Sequence, residues 1–137
     1  MGLEVYLVFN GHCRQAVTFY ADVFNTPLTE LMTFGEYQTD DTPLTEQQKK
    51  LILHTELIIE GNRVMFSDAM PENPVTVGNN INLTIISKDM EHIKDIFQKL
   101  SVGGHVDMEL QETFWSKCYG SLTDRYGIQW QFNHSQG

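Results

Sequence analysis

Apolar residues along the chain fall in short runs broken by turn residues, and twice they switch to a helical spacing. Residues 3–9, LEVYLVF, are rich in β-formers and predict a strand, which Asn10 and Gly11 end as a turn. Between 13 and 24, Ala16, Phe19, Tyr20, Val23 and Phe24 recur at i, i+3, i+4, i+7 and i+8, one apolar stripe of a helix. Pro27 stops it, because a proline ring cannot continue a helix. A second strand is expected over 28–35. Residues 36–50 are polar and read as a surface excursion, a solvated loop or a lid, with one helical turn at 45–50. Strands follow at 51–60 and 63–69, joined by a hairpin turn at Gly61 and Asn62. Pro71 and Pro74 mark a linker. Beyond it come a strand over 80–87 and a helix over 89–101 carrying Ile93, Ile96, Phe97 and Leu100. Gly103 and Gly104 close that helix. Three strands complete the chain, at 105–111, 116–123 and 128–133.

The element order is thus βαβββ, then βαβββ again. This predicts an α+β fold of paired βαβββ modules, 1–75 and 76–137, that together make one domain with a cup-shaped mixed sheet. A ferredoxin-like sandwich with added hairpins uses similar elements and predicts no cup.

Composition narrows the function classes. A chain of 137 residues fits one domain, and eight Phe, five Tyr and two Trp supply large buried area. With nine Lys and Arg and a net charge of −9, a nucleic-acid surface is not expected, nor is attraction to an anionic membrane. No apolar run approaches spanning length, and the N-terminal stretch lacks the basic and long apolar regions of a signal peptide. Cys13 and Cys118 form no CxxC pair, so a cytoplasmic protein with free thiols is expected. The chain carries no phosphate-binding loop, GxGxxG, GxSxG or HExxH element. A methyl-donor site of the glycine-rich nucleotide type therefore has no support in the sequence.

Four stretches carry a family resemblance: YLVFNGHCRQAVTFYADVF (6–24), LILHTELIIEGNRVMFSD (51–68), GGHVDMELQETFWSKCYGSLTDRYGIQW (103–130) and the QFN close. In these the chain resembles the vicinal-oxygen-chelate superfamily, which includes glyoxalase I, bleomycin-resistance proteins and extradiol dioxygenases. More narrowly it resembles the PhnB-like branch, often described as 3-demethylubiquinone methyltransferase-like. The resemblance implies a glyoxalase-like fold and usually a homodimer. It implies no single reaction, because the fold hosts isomerases, lyases, dioxygenases and binding proteins.

The superfamily's metal enzymes place four ligands on the inward faces of the first and last long strands of each half. Strand alternation finds the matching positions here. In the last strand, Ile128, Trp130 and Phe132 oppose Gln129, Gln131 and Asn133; over 81–86, Ile81, Leu83 and Ile85 are expected on the core face, opposite Asn82, Thr84 and Ile86. In 64–68, Val64, Phe66 and Asp68 oppose Met65 and Ser67. The matching sites are Met65, Asn82, Gln131 and, in the first strand, Glu4 or Tyr6. Met is a poor ligand for nickel, iron, manganese or zinc, and Asn a weak one. Only Gln131 and Glu4 keep ligand-competent types. The expectation is a cup that binds a small organic molecule with no cofactor. A divalent metal could still bind through Glu4, His54 or Asp68 in a rearranged site.

Other residues carry two readings each. His54 is the general-base candidate or a sheet-surface histidine. Asp68 orients it or caps the following turn. Phe114, Trp115 and Tyr119 form the apolar wall of a ligand pocket, or they pack in the core or a dimer. Trp130 is expected in the core, and Asp124 with Gly127 in a structural hairpin. Cys13 opens a helix, where a thiol can be activated, or simply packs there. Asp40 and Asp41 chelate a cation weakly or sit in a solvated loop. Two classes of function remain: a binding protein, and an enzyme assisted by a metal or by His54.

Overall fold

The computed structural model describes residues 2–39, 41 and 43–135. The chain divides between Thr76 and Val77 into two compact units.

The first unit runs β1 (Val5–Phe9), α1 (Cys13–Val23), β2 (Met32–Thr33), a 3-10 turn (Gly35–Tyr37), α2 (Glu46–Lys49), β3 (Ile52–Ile59) and β4 (Asn62–Asp68). Its sheet has the order β1-β4-β3-β2, with β1 parallel to β4 and the other pairs antiparallel. The apolar stripe of α1 buries Ala16, Val17, Tyr20 and Val23. They meet the inward residues of the sheet, where the Tyr20 ring lies 5.9 Å from that of Phe66. The start of α1 lacks a local cap, since His12 makes no side-chain bond there. Asp68, far along the chain, takes over: its Oδ1 accepts the Gly11 and Cys13 amides at 3.0 and 2.9 Å. Its Oδ2 accepts the Ile52 amide at 3.0 Å. One buried carboxylate thus ties the helix start to β3 and β4.

The second unit repeats the plan. β5 (Asn82–Ser87), α3 (Met90–Ser101), β6 (His105–Gln111), β7 (Tyr119–Thr123) and β8 (Gln129–His134) build a sheet of order β5-β8-β7-β6, with β5 parallel to β8. Here the cap is local, and Asp89 accepts the Glu91 and His92 amides at 3.0 and 3.2 Å. Ile93, Ile96, Phe97 and Leu100 are buried on α3. Phe97 meets Phe132 edge-on at 5.2 Å. After α3 the chain passes so close to β7 that a Cβ on Gly104 would strike the Thr123 carbonyl oxygen. Asp124 builds the β7–β8 turn, accepting the Tyr126 and Ile128 amides at 2.8 and 3.1 Å and the Trp130 indole N–H at 2.9 Å. The Asp124 and Gly127 pair is therefore structural, and Trp130 is a core residue.

Three expectations need correction. The strand expected over 28–35 shrinks to Met32–Thr33. Its pairing with β3 is irregular, and the Thr55 hydroxyl, not a ladder amide, bonds the Glu30 carbonyl at 2.6 Å. The strand expected from 116 begins at Tyr119, because Ser116 closes a turn on Thr113: the Thr113 amide donates to the Ser116 carbonyl at 2.8 Å. The β3–β4 hairpin turns on Glu60 and Gly61, with Asn62 already paired to Ile59. Both turn residues have positive φ, 50° and 81°, as a two-residue hairpin loop requires.

Candidate functional site

Each sheet is covered by its helix on one face and leaves the other open. The strand alternation read from the sequence assigns the candidates to these open faces, and burial agrees: Val64, Phe66, Trp130 and Phe132 are buried, whereas Met65 and Gln131 are half-exposed.

On the first sheet, Tyr6 of β1, Met65 of β4 and Glu56 of β3 lie in one row across the strands. His54 is two residues from Glu56 on the same face. Its Nδ1 is 3.1 Å from the Tyr6 hydroxyl, and its Nε2 is 3.7 Å from the Glu56 carboxylate. Arg63 continues the chain of contacts, 3.6 Å from Glu56 and 2.6 Å from Glu4. Glu4, the metal-ligand candidate, is therefore held by a guanidinium, which donates to it from Nε as well. The structure brings Glu4, Tyr6, His54 and Met65 onto one face. The linkage through Glu56 and Arg63 was missed, although strand alternation would have aligned both with His54 and Met65. Ile52, which strict strand alternation would put on His54's side, is fully buried, in the irregular stretch where its amide is bound by Asp68.

Asp68 serves neither alternative considered for chemistry. Both its oxygens are committed to backbone amides on the helix side of the sheet, so it does not orient His54 and is not a free metal ligand. Cys13 is buried beside it. Burial, and then the Asp68 charge, push its thiol far above the ordinary value, so the helix start does not activate it. Cys118 is also raised by burial, and both cysteines are free. Asp40 lies outside the described residues. Among the described residues, no three or more His, Cys, Asp or Glu are grouped so as to hold a metal ion.

On the second sheet, three rows cross from β5 through β8 to β7. They are Asn82–Gln129–Thr123, Thr84–Gln131–Ser121 and Ile86–Asn133–Tyr119. Asn82 thus stands opposite Gln129, while Thr84 is the direct neighbour of Gln131. Next to the third row, Trp115 meets Tyr119 edge-on at 5.3 Å, and Phe114 meets Trp115 at 4.7 Å. Phe114 is 97% and Trp115 53% exposed, so neither packs in the core of this unit. A cavity of about 420 Å³ lies here, lined by Glu112 to Lys117 and by Asn133, His134 and Ser135. Asn133 Oδ1 is buried without a hydrogen-bond partner among the described residues. A larger cavity of about 560 Å³ in the first unit, between Asn10, Leu51, Met70, Pro71 and Pro74, involves none of the expected site residues.

This twofold βαβββ arrangement, with β1 beside β4 and β5 beside β8, is that of the glyoxalase fold. Residues 2–133 match the family model described as 3-demethylubiquinone-9 3-methyltransferase. The chain belongs to this PhnB-like family. The Escherichia coli K12 protein YjdN is 31% identical over 140 residues, covering 97% of this chain and 95% of YjdN. The crystal structure of PA1353 from Pseudomonas aeruginosa superposes with a TM-score of 0.81 at 29% identity, over 99% of this chain and 100% of that one. The PhnB protein from Bacillus cereus, at 22% identity, gives 0.75 over 98% and 100%. FosX, a fosfomycin resistance protein from Listeria monocytogenes, shares only the fold: 9% identity, a TM-score of 0.66, 98% of this chain and 93% of FosX. PhnB and FosX are vicinal-oxygen-chelate proteins, so this PhnB-like chain has that superfamily's fold. No helix among its described residues is long and apolar enough to cross a membrane.

Proposed function

We propose that this PhnB-like protein binds a small organic molecule on its open sheet faces and uses no catalytic metal there. The observation that carries the reading is the donor set at the ligand positions. Met65 and Tyr6 face each other in the first sheet, amides and hydroxyls stand at Asn82, Thr84 and Gln131, and Glu4 is paired with Arg63. A hard divalent ion needs carboxylate or imidazole ligands with open positions, and this set supplies a thioether, a phenol and neutral amides. One FosX structure, of a mutant, is a complex with Mn(II) and 1S,2S-dihydroxypropylphosphonic acid; in this chain the one carboxylate among the positions named is Glu4, and it is held by Arg63. The exposed Trp115 and half-exposed Tyr119 supply an aromatic wall suited to an organic ligand.

The test is native mass spectrometry of the purified protein combined with metal analysis. A retained organic mass with substoichiometric metal is expected. One equivalent of nickel, zinc, manganese or iron, lost on changing Gln131 or Glu4, refutes the reading. The proposal includes the homodimer that the resemblance suggests and the cytoplasmic setting expected from the cysteine usage. Light scattering checks the former and cell fractionation the latter.

One observation favours a second reading, as an enzyme. His54 sits between a phenol and a carboxylate, so a proton taken up at one ring nitrogen can be relayed or balanced at the other. In that case His54→Ala abolishes turnover of the bound molecule while leaving its binding measurable.

A further inference from the structure

The two open faces differ in chemistry. On the first sheet the charges of Glu4, Arg63 and Glu56 meet His54 and Tyr6 in one connected set. On the second, the first two rows from β5 to β7 are Asn82, Gln129, Thr123 and Thr84, Gln131, Ser121, all neutral hydrogen-bonding side chains; on the edge strand β6 the first row continues to His105 and the second to Met108. Among the described residues, the side chains of Asn82, Thr84, Ser121, Gln129 and Gln131 make no hydrogen bond. On β6, the Asp107 carboxylate is taken up by His105 and by the Thr123 hydroxyl, each at 2.9 Å. The third row turns apolar, with Ile86 and Tyr119 flanking Asn133, whose Oδ1 is buried without a partner. Trp115 and the 420 Å³ cavity border this row.

Strands lie about 4.8 Å apart and alternate side chains on one strand about 7 Å apart, so the three rows span roughly 14 Å. That length accommodates a flat ring joined to one further ring-sized group. From this gradient we infer that the second sheet's open face binds an uncharged molecule with a flat apolar ring at one end and a hydroxyl- or amide-rich group at the other. The ring lies against Ile86, Tyr119 and Trp115; the polar end spans Thr84, Gln131, Ser121, Asn82 and Gln129. Amides and hydroxyls offer both donors and acceptors, which matches hydroxyls and amides in the ligand. A charged ligand there loses hydration and meets no opposite charge among the β5, β8 and β7 side chains of the first two rows; the charged groups nearby are Asp107, engaged with His105 on β6, and Glu112 and Lys117 in the cavity lining. The inference rests on the small-molecule-binding reading and names the ligand class for one of its two faces.

Two matched pairs test it: phenyl β-D-glucoside against phenyl β-D-glucuronide, and adenosine against its 5′-monophosphate. Within each pair only the charge-bearing group changes. Titrations of the full-length protein are followed by NMR at the Trp115 indole and at the side-chain amides of Asn82, Gln129 and Gln131. The neutral member of at least one pair is expected to shift these signals and to bind at least tenfold tighter than its charged counterpart. Gln131→Glu should weaken it at least tenfold with an unchanged urea midpoint, and Thr84→Val provides a second, uncharged variant with the same direction of effect. Equal or tighter binding of the charged members, shifts confined to the first sheet, or no shift on this face at millimolar probe overturns the inference. In those cases an organic mass retained in native mass spectrometry still supports the broader reading, whereas loss of both overturns the two together.

Discussion

Replacing Asp68 by alanine separates a structural role for this carboxylate from a catalytic one. Its three bonds go to the backbone amides of Gly11, Cys13 and Ile52, and the side chain is 5% exposed. A hydrogen bond to a charged group contributes roughly 1.5–3 kcal/mol, and removing the acceptor leaves buried N–H groups unpaired. Because the three share one carboxylate they do not add fully, so Asp68→Ala should cost about 4 kcal/mol. For a small protein with a urea slope of about 2 kcal/mol per molar, the midpoint falls by about 2 M. Asp68→Asn is a graded control. Its oxygen can still accept from Gly11 and Cys13, but its NH2 then meets the Ile52 N–H, donor against donor, and about 2 kcal/mol is lost. Both tryptophans lie in the second unit, so far-UV circular dichroism and hydrogen exchange are the suitable probes. Exchange at the Gly11, Cys13 and Ile52 amides should accelerate most. A loss below about 1 kcal/mol for Asp68→Ala, or Asn more damaging than Ala, would refute the reasoning.

Other expectations follow from the same geometry. Trp115→Ala should cost about 1 kcal/mol, because the ring is half-exposed and keeps only its edge contacts to Phe114 and Tyr119, whereas Trp130→Phe, which removes the buried bond to Asp124, should cost about 1–3 kcal/mol in urea unfolding. The Cys13 thiol keeps its proton in the folded protein to higher pH than in the unfolded chain, owing to burial and then to Asp68. Above about pH 8.5 the unfolded chain binds fewer protons, so stability falls as pH rises, and Cys13→Ala should flatten that alkaline slope in denaturation curves. Excess nickel, zinc or manganese should leave Tm unchanged. A metal at a hundredfold its Kd would add about 2.7 kcal/mol, a rise of several degrees that Gln131→Ala should then abolish. Gly104→Ala should destabilise strongly, since its Cβ has no room beside Thr123, and a thermal melt measures the loss.

Local periodicity made the helices and most strands legible. Of the stripe on the first helix, Ala16, Tyr20 and Val23 are buried while Phe19 and Phe24 at its margin are half-buried, and Ile93, Ile96, Phe97 and Leu100 are all buried, because a 3.6-residue period determines which face can be buried. Alternation likewise assigned Met65, Gln131 and Asn82 to open faces, since a strand turns successive side chains to opposite sides whatever it pairs with. The family was legible for a similar reason, in contiguous motifs. Through-space partners were not. That Asp68 caps a helix starting 55 positions earlier, that Arg63 captures Glu4, and that Thr84 rather than Asn82 faces Gln131 all depend on strand register, which brings distant residues within hydrogen-bond reach. The same holds for β2, whose residues favour a strand but which pairs with β3 only at Met32 and Thr33, in an irregular register next to the bond between Thr55 and Glu30. Residue identity along the chain determined which faces exist and what chemical types they carry. Tertiary pairing decided which of those groups are already spent on the protein itself and which remain to meet a ligand.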